Sequence, residues 1–116
     1  MTMFGCVFCR IAAHEKPAKI YYEDERCLVI QDTNPQAPVH LLVIPRKHIA
    51  SLNQTMEEDK TLLGHMMMLI KRMAKEQGID GMGYRTVINT NAEAGQTIYH
   101  LHIHILGGRV MRWPPG

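Results

Sequence analysis

In His100-Leu101-His102-Ile103-His104-Ile105-Leu106, histidine and an aliphatic residue alternate strictly as far as Ile105. Tyr99, Leu101, Ile103 and Ile105 share one parity, and His100, His102 and His104 share the other. Side chains of a strand alternate between faces with period two. The stretch therefore predicts a half-buried strand, with the apolar set toward the core and three imidazoles in a row opposite. Same-face neighbours lie roughly 6.5–7 Å apart, and the first and third histidines on the order of 13 Å apart. One metal with bonds of about 2 Å cannot take all three from a straight strand, so the row must divide its labour. A purification tag would be a terminal run of adjacent histidines, and this is neither.

Working outward, Tyr84–Asn89 reads as a strand, and Thr90–Thr97 as a polar loop into the histidine stretch. Gly95 lets backbone amides approach a ligand, and Thr97 adds a hydroxyl beside them. Such a loop suits phosphate, although ordinary loops share its composition. Further upstream, Lys19–Glu23 and Cys27–Gln31 are expected strands, with Asp24-Glu25-Arg26 as the turn between them. The loop Asp32–Pro38 holds two prolines. Asp32 at its start either caps a turn or accepts a substrate hydroxyl. His40–Pro45 is a continuous apolar run after its histidine, which implies a well-covered central strand. His48 follows, either solvated or turned back as a ligand.

Two helices complete the pattern. Cys9–Ala13 suits a short one, ended by Pro17. Thr55-Met56-Glu57-Glu58 has the form of a capping box, opening a long helix to about Gln77 with Gly78 as its stop. Leu62, Leu63, Met66, Met67, Leu69, Ile70, Met73 and Ala74 span roughly 160° of it, with Met68 outside. Methionine is good core filler, and an arc this wide also suits a contact between subunits. The sum is an α+β fold with about five strands in a mostly antiparallel sheet, one long helix and one short one.

Composition sets the frame. A chain of 116 residues predicts one domain, residues 1–116. It is 46% hydrophobic and 21% charged, with net charge +2, which gives no argument for nucleic acid or a membrane surface. No apolar run approaches the roughly 20 residues of a membrane span. Met1–Gly5 lacks a basic region followed by an apolar stretch, so no signal peptide is expected and the compartment is read as cytoplasmic and reducing. Three cysteines, an odd number, fit no disulfide framework there. Cys6-Val7-Phe8-Cys9 is a chance pair, a redox motif with almost no chain before it, or half of a zinc site completed by histidines. Seven histidines are available, and spacing does not choose among them.

A row of imidazoles has a natural chemistry with phosphate. With a pKa near 6.5, imidazole is largely neutral at pH 7. The neutral ring attacks phosphorus to form a phosphoramidate, provided its other nitrogen donates to something fixed. A second histidine can protonate the leaving group and later help activate water. Two displacements give retention at phosphorus.

The histidine stretch resembles the histidine triad family. The resemblance covers nearly the whole chain and includes Pro17-Ala18-Lys19-Ile20, Pro35-Gln36-Ala37-Pro38-Val39-His40, Val43-Ile44-Pro45-Arg46-Lys47-His48-Ile49 and Gly95-Gln96-Thr97. Leu106-Gly107-Gly108-Arg109 and Trp113-Pro114-Pro115-Gly116 are similar to the Hint branch, the histidine triad nucleotide-binding proteins. The resemblance implies a homodimer with its sheet continued across the subunits, and purine nucleoside phosphoramidase activity on substrates such as adenosine 5'-phosphoramidate. It implies His102 as the nucleophile that becomes adenylylated, His104 beside the leaving group and His40 in support. It makes Asp32 the ribose ligand, and places Asn89, Gly95, Gln96 and Thr97 (often serine in the family) at phosphate. Phe8, Ile11 and Leu42 fall at the base pocket. Trp113 falls in a tail that approaches the partner subunit's site, or simply packs. In metal-bearing members, Cys6, Cys9, His48 and His100 would form a structural Cys2His2 zinc site, with no organic cofactor. Two readings compete: hydrolysis or transfer on dinucleoside polyphosphates, and a nucleotide-binding interaction module with little catalysis.

Overall fold

The computed structural model describes residues 5–116, so the leader reading of Met1–Gly5 lies, Gly5 aside, outside the described residues. Aliphatic and β-branched runs form five strands: β1 (Ile20–Glu23), β2 (Cys27–Gln31), β3 (Val39–Pro45), β4 (Tyr84–Val87) and β5 (Ile103–Gly107). They make one sheet in the order β1-β2-β3-β5-β4, with every neighbouring pair antiparallel. The short helix α1 (Val7–Ala12) precedes the sheet, and the long helix α2 (Lys60–Glu76) connects β3 to β4. This is the expected α+β architecture.

The sheet is covered on both faces. Val29, Leu41, Val43, Ile103 and Ile105 pack with Leu62, Met66, Leu69, Ile70 and Met73 of α2. Leu28, Ile30, Leu42 and Ile44 pack with Phe8 and Ile11 of α1. Consecutive residues of β3 thus go to opposite cores, which is why that central strand is apolar throughout. The register sets Leu42 opposite His104 and His40 opposite Leu106, so both histidines share the α1 face of the sheet. Among the described residues, no helix is long and apolar enough to cross a membrane.

Three local expectations change. The histidine strand starts only at Ile103, and His100 and His102 lie in the irregular segment before it. There, the Leu101 amide donates to the Ile49 carbonyl at 2.7 Å, and the His100 ring turns inward to the Pro45 carbonyl at 2.7 Å. The straight row of three is therefore broken after its first member. Second, Thr55–Glu58 does not cap α2. Thr55 Oγ1 donates to the Leu52 carbonyl, and a 3-10 turn, Glu57–Asp59, comes first. The Asp59 carboxylate takes the Met56 amide at 2.8 Å and is held by Lys47 Nζ at 2.6 Å. Third, Met67 is 49% exposed, which narrows the buried arc of α2 to about 140°. The helix does stop at Gly78, whose φ of +72° reverses the chain.

Candidate active site

His102, His104 and His40 converge although they come from three different local settings. The His102 and His104 ring centroids are 5.1 Å apart, and those of His40 and His104 also 5.1 Å. Each ring is held by a hydrogen bond that identifies its protonated nitrogen. His102 Nδ1 lies 2.7 Å from the His100 carbonyl, which can only accept, so the proton sits on Nδ1 and the neutral ring keeps a lone pair on Nε2. His40 Nδ1 accepts the Gln36 backbone amide at 3.0 Å, so neutral His40 carries its proton on Nε2. That Nε2 lies 2.9 Å from His104 Nδ1 and 3.3 Å from Asp32 Oδ2. With His104 Nδ1 accepting, its own proton belongs on Nε2. The chain of bonds thus leaves one ring with a lone pair and its neighbour with an N–H at the equivalent position.

Burial favours the neutral form of His104 and His40. It pushes His104 down to about 4, with help from neighbouring His102 and His40. It also lowers His40, against the opposing pull of the Asp32 carboxylate.

A cavity of about 490 Å³ opens beside the rings. His102, His104, Asn89, Gly95, Thr97 and Asp32 line it. Phe8, Ile11 and Leu42 form apolar wall. Gly95 has φ of +90°, a conformation that disfavours a side chain. Asp32 Oδ1 caps the turn by accepting the Asn34 amide at 2.8 Å, while Oδ2 stands 3.3 Å from His40 Nε2.

Three expected positions fall outside the lining: His40, which meets the site through His104, and Gln96 and Trp113. The Gln96 carboxamide is buried and fully engaged. Its Oε1 accepts the Asn91 amide, and its Nε2 donates to the Ala50 and Ile98 carbonyls. It shapes the loop that carries Gly95 and Thr97. Trp113 is 82% exposed, with the Arg85 guanidinium 5.9 Å from its ring. Several lining residues were not assigned to the site from the sequence: Ile30, Ile98 and the segment Lys16–Lys19, although Pro17-Ala18-Lys19 belongs to the family resemblance. Ile30 is cross-strand from Leu42, so the sheet register supplies it once the pairing is known.

His100 looks the other way. Fully buried, it donates from Nε2 to the Pro45 carbonyl and turns Nδ1 to Cys6 Sγ at 3.2 Å, Cys9 Sγ at 3.5 Å and His48 Nδ1 at 3.2 Å. Cys9 Sγ lies 3.3 Å from His48 Nδ1. All four ligand atoms fall within 4.8 Å of one another. A zinc tetrahedron with bonds of about 2.0–2.3 Å has nitrogen–nitrogen and sulfur–nitrogen edges of about 3.3–3.6 Å. The observed separations of 3.2–3.5 Å lie close to those edges, and two thiols with two imidazoles are a zinc donor set.

A family model described as "Scavenger mRNA decapping enzyme C-term binding" matches residues 5–112. An uncharacterized HIT-like protein of Synechococcus elongatus is 53% identical over 95% of this chain and 96% of its own. The crystal structure of a HIT family hydrolase from Legionella pneumophila superposes with a TM-score of 0.95 at 48% identity, covering 97% of this chain and 100% of that one. A zinc-bound histidine triad family protein from Mycobacterium smegmatis superposes with a TM-score of 0.77 at 36% identity, covering 91% and 76%.

Proposed function

The chain belongs to the histidine triad (HIT) family, and from that premise we propose that it is a purine nucleoside phosphoramidase of the Hint branch. The observation that carries the reading is the hydrogen bond from His102 Nδ1 to the His100 carbonyl, beside a cavity with room for a nucleotide. It leaves Nε2 as a nucleophile without any prior deprotonation.

In the reaction, His102 Nε2 attacks the phosphorus of an adenosine 5'-phosphoramidate, and the P–N bond breaks with its electrons passing to the amine. His104 supplies the proton that the amine carries away. Its imidazolium is disfavoured in the free site, and the negative charge of the bound phosphate opposes that shift. Water then attacks the adenylyl-His102 phosphorus, giving its proton back through His104 and releasing AMP. His40, fixed by the Gln36 amide, orients His104. Asn89, Gly95 and Thr97 hold the phosphate oxygens, Asp32 the ribose hydroxyls, and Phe8, Ile11 and Leu42 the base. Gln96 acts indirectly, by shaping the phosphate loop. Acyl-adenylates fit the same scheme.

Cys6, Cys9, His48 and His100 hold zinc in this reading. Four protein ligands leave no open position, so the ion supplies structure rather than Lewis-acid chemistry. The zinc-bound relative and the ligand-atom separations support it. The protein acts as a cytoplasmic homodimer without an organic cofactor, and the tail around Trp113 reaches toward the partner subunit.

Intact mass spectrometry during turnover of adenosine 5'-phosphoramidate tests the mechanism. A transient gain of one adenylyl group is expected, and it should be missing from His102→Ala. Unimpaired turnover in that variant would refute the role of His102. Equal or faster turnover of a diadenosine polyphosphate would favour the polyphosphate reading. Nucleotide binding without any turnover would favour a binding module.

A further inference from the structure

Two short pieces of chain serve the metal-ligand cluster and the nucleotide cavity at once. The first is α1. Cys6 caps it, with Sγ accepting the Cys9 amide at 3.3 Å, and both thiols face the cluster. On the same single turn and a half, Val7, Phe8 and Ile11 line the cavity. A helix of six residues has no stability of its own, so tertiary anchors hold that wall in place. The second piece is His100. Its ring belongs to the cluster, and its carbonyl takes the His102 Nδ1 proton. Phe8 spans the two, edge-on to His100 at 5.8 Å and to His102 at 5.1 Å between centroids.

We propose that the Cys6–Cys9–His48–His100 cluster is a latch on the cavity, so that its occupancy by zinc sets the affinity for nucleotide. This rests on the zinc and nucleotide readings above. With the cluster bound, α1 keeps Phe8 and Ile11 against the base, and the His100 backbone keeps the His102 lone pair on Nε2. With it released, both restraints loosen together. His100 is a positioning residue for His102, and Cys6 and Cys9 are positioning residues for the base wall.

The test compares the zinc-loaded protein with protein stripped by a chelator. AMP affinity is measured by calorimetry, and the His102 ring nitrogens by 15N NMR. The stripped protein, with unchanged far-UV circular dichroism, should bind AMP about tenfold more weakly or worse, and AMP should tighten zinc binding by the same factor. The His102 spectrum should change from a single Nδ1–H tautomer to a mixture. Equal AMP affinity and an unchanged tautomer in the two states overturn the latch and leave both underlying readings standing. Failure of the loaded protein to bind AMP refutes the nucleotide reading, and failure to take up zinc refutes the metal reading; either takes the latch with it. Should stripping unfold the protein, His48→Gln serves instead, because His48 is a cluster ligand outside α1 and outside the cavity lining. Its AMP affinity should follow free zinc and reach the unmutated value at saturation. AMP affinity indifferent to zinc in that variant overturns the proposal.

Discussion

His104 is one of the groups through which pH acts on this protein. An imidazole in the unfolded chain takes its proton near pH 6.5, whereas burial keeps the folded His104 neutral down to about 4. The unfolded state therefore binds the proton first. The stability tied to the neutral ring is present above pH 6.5 and is lost as pH falls through about 4. Between pH 7 and 5 the loss is about 2 kcal/mol. Urea midpoints should fall across that interval, and His104→Gln should fall less steeply. Gln96 presents a different case, because the family resemblance implies a phosphate contact for it while its carboxamide bonds only to backbone. Gln96→Ala leaves buried backbone groups unpaired and should lower stability by about 1–3 kcal/mol in urea unfolding. Its AMP affinity should fall through the loop rather than through a lost contact.

At the scale of elements, the start of α2 depends on Asp59. Its carboxylate accepts the Met56 amide while Lys47 reaches it from beyond β3. Asp59→Ala should cost about 1–2 kcal/mol in thermal or urea unfolding. Thr55→Ala, which removes only a hydroxyl bonded to the Leu52 carbonyl, should cost less. At the end of β5, Gly107 sits under Ile79, and an added Cβ would lie 2.6 Å from Ile79 Cδ1. Gly107→Ala should destabilise the fold by about 1–3 kcal/mol, with AMP affinity of the folded fraction unchanged. The strands β2 and β3 were legible because they are continuous apolar runs. The entry to β5 was not, because alternation reports which way side chains point and says nothing of whether a backbone amide finds a neighbouring strand. Leu101 satisfies its amide on Ile49 instead.

At the scale of the whole molecule, α2 leaves Met67 49% and Met68 60% exposed, on a helix whose other apolar residues are buried or, at Leu63, partly buried. If α2 forms part of the proposed homodimer contact, as its wide apolar arc suits, light scattering should give twice the chain mass. Met68→Glu should shift the population toward monomer. A dimer unchanged by that substitution would place the contact elsewhere.

Sequence alone determined the sheet's main strands, the two helices, the histidines of the site and the thiol pair, because strand parity, helical period and glycine stops are local properties of the chain. Only the tertiary structure decided how the three histidines divide. The inward turn of His100 depends on the Pro45 carbonyl and on His48, both about fifty residues away in the chain. The tautomers of His102, His40 and His104 depend on which backbone groups stand opposite them. A proton's position on an imidazole is set by its partner, and the partner is supplied by the fold.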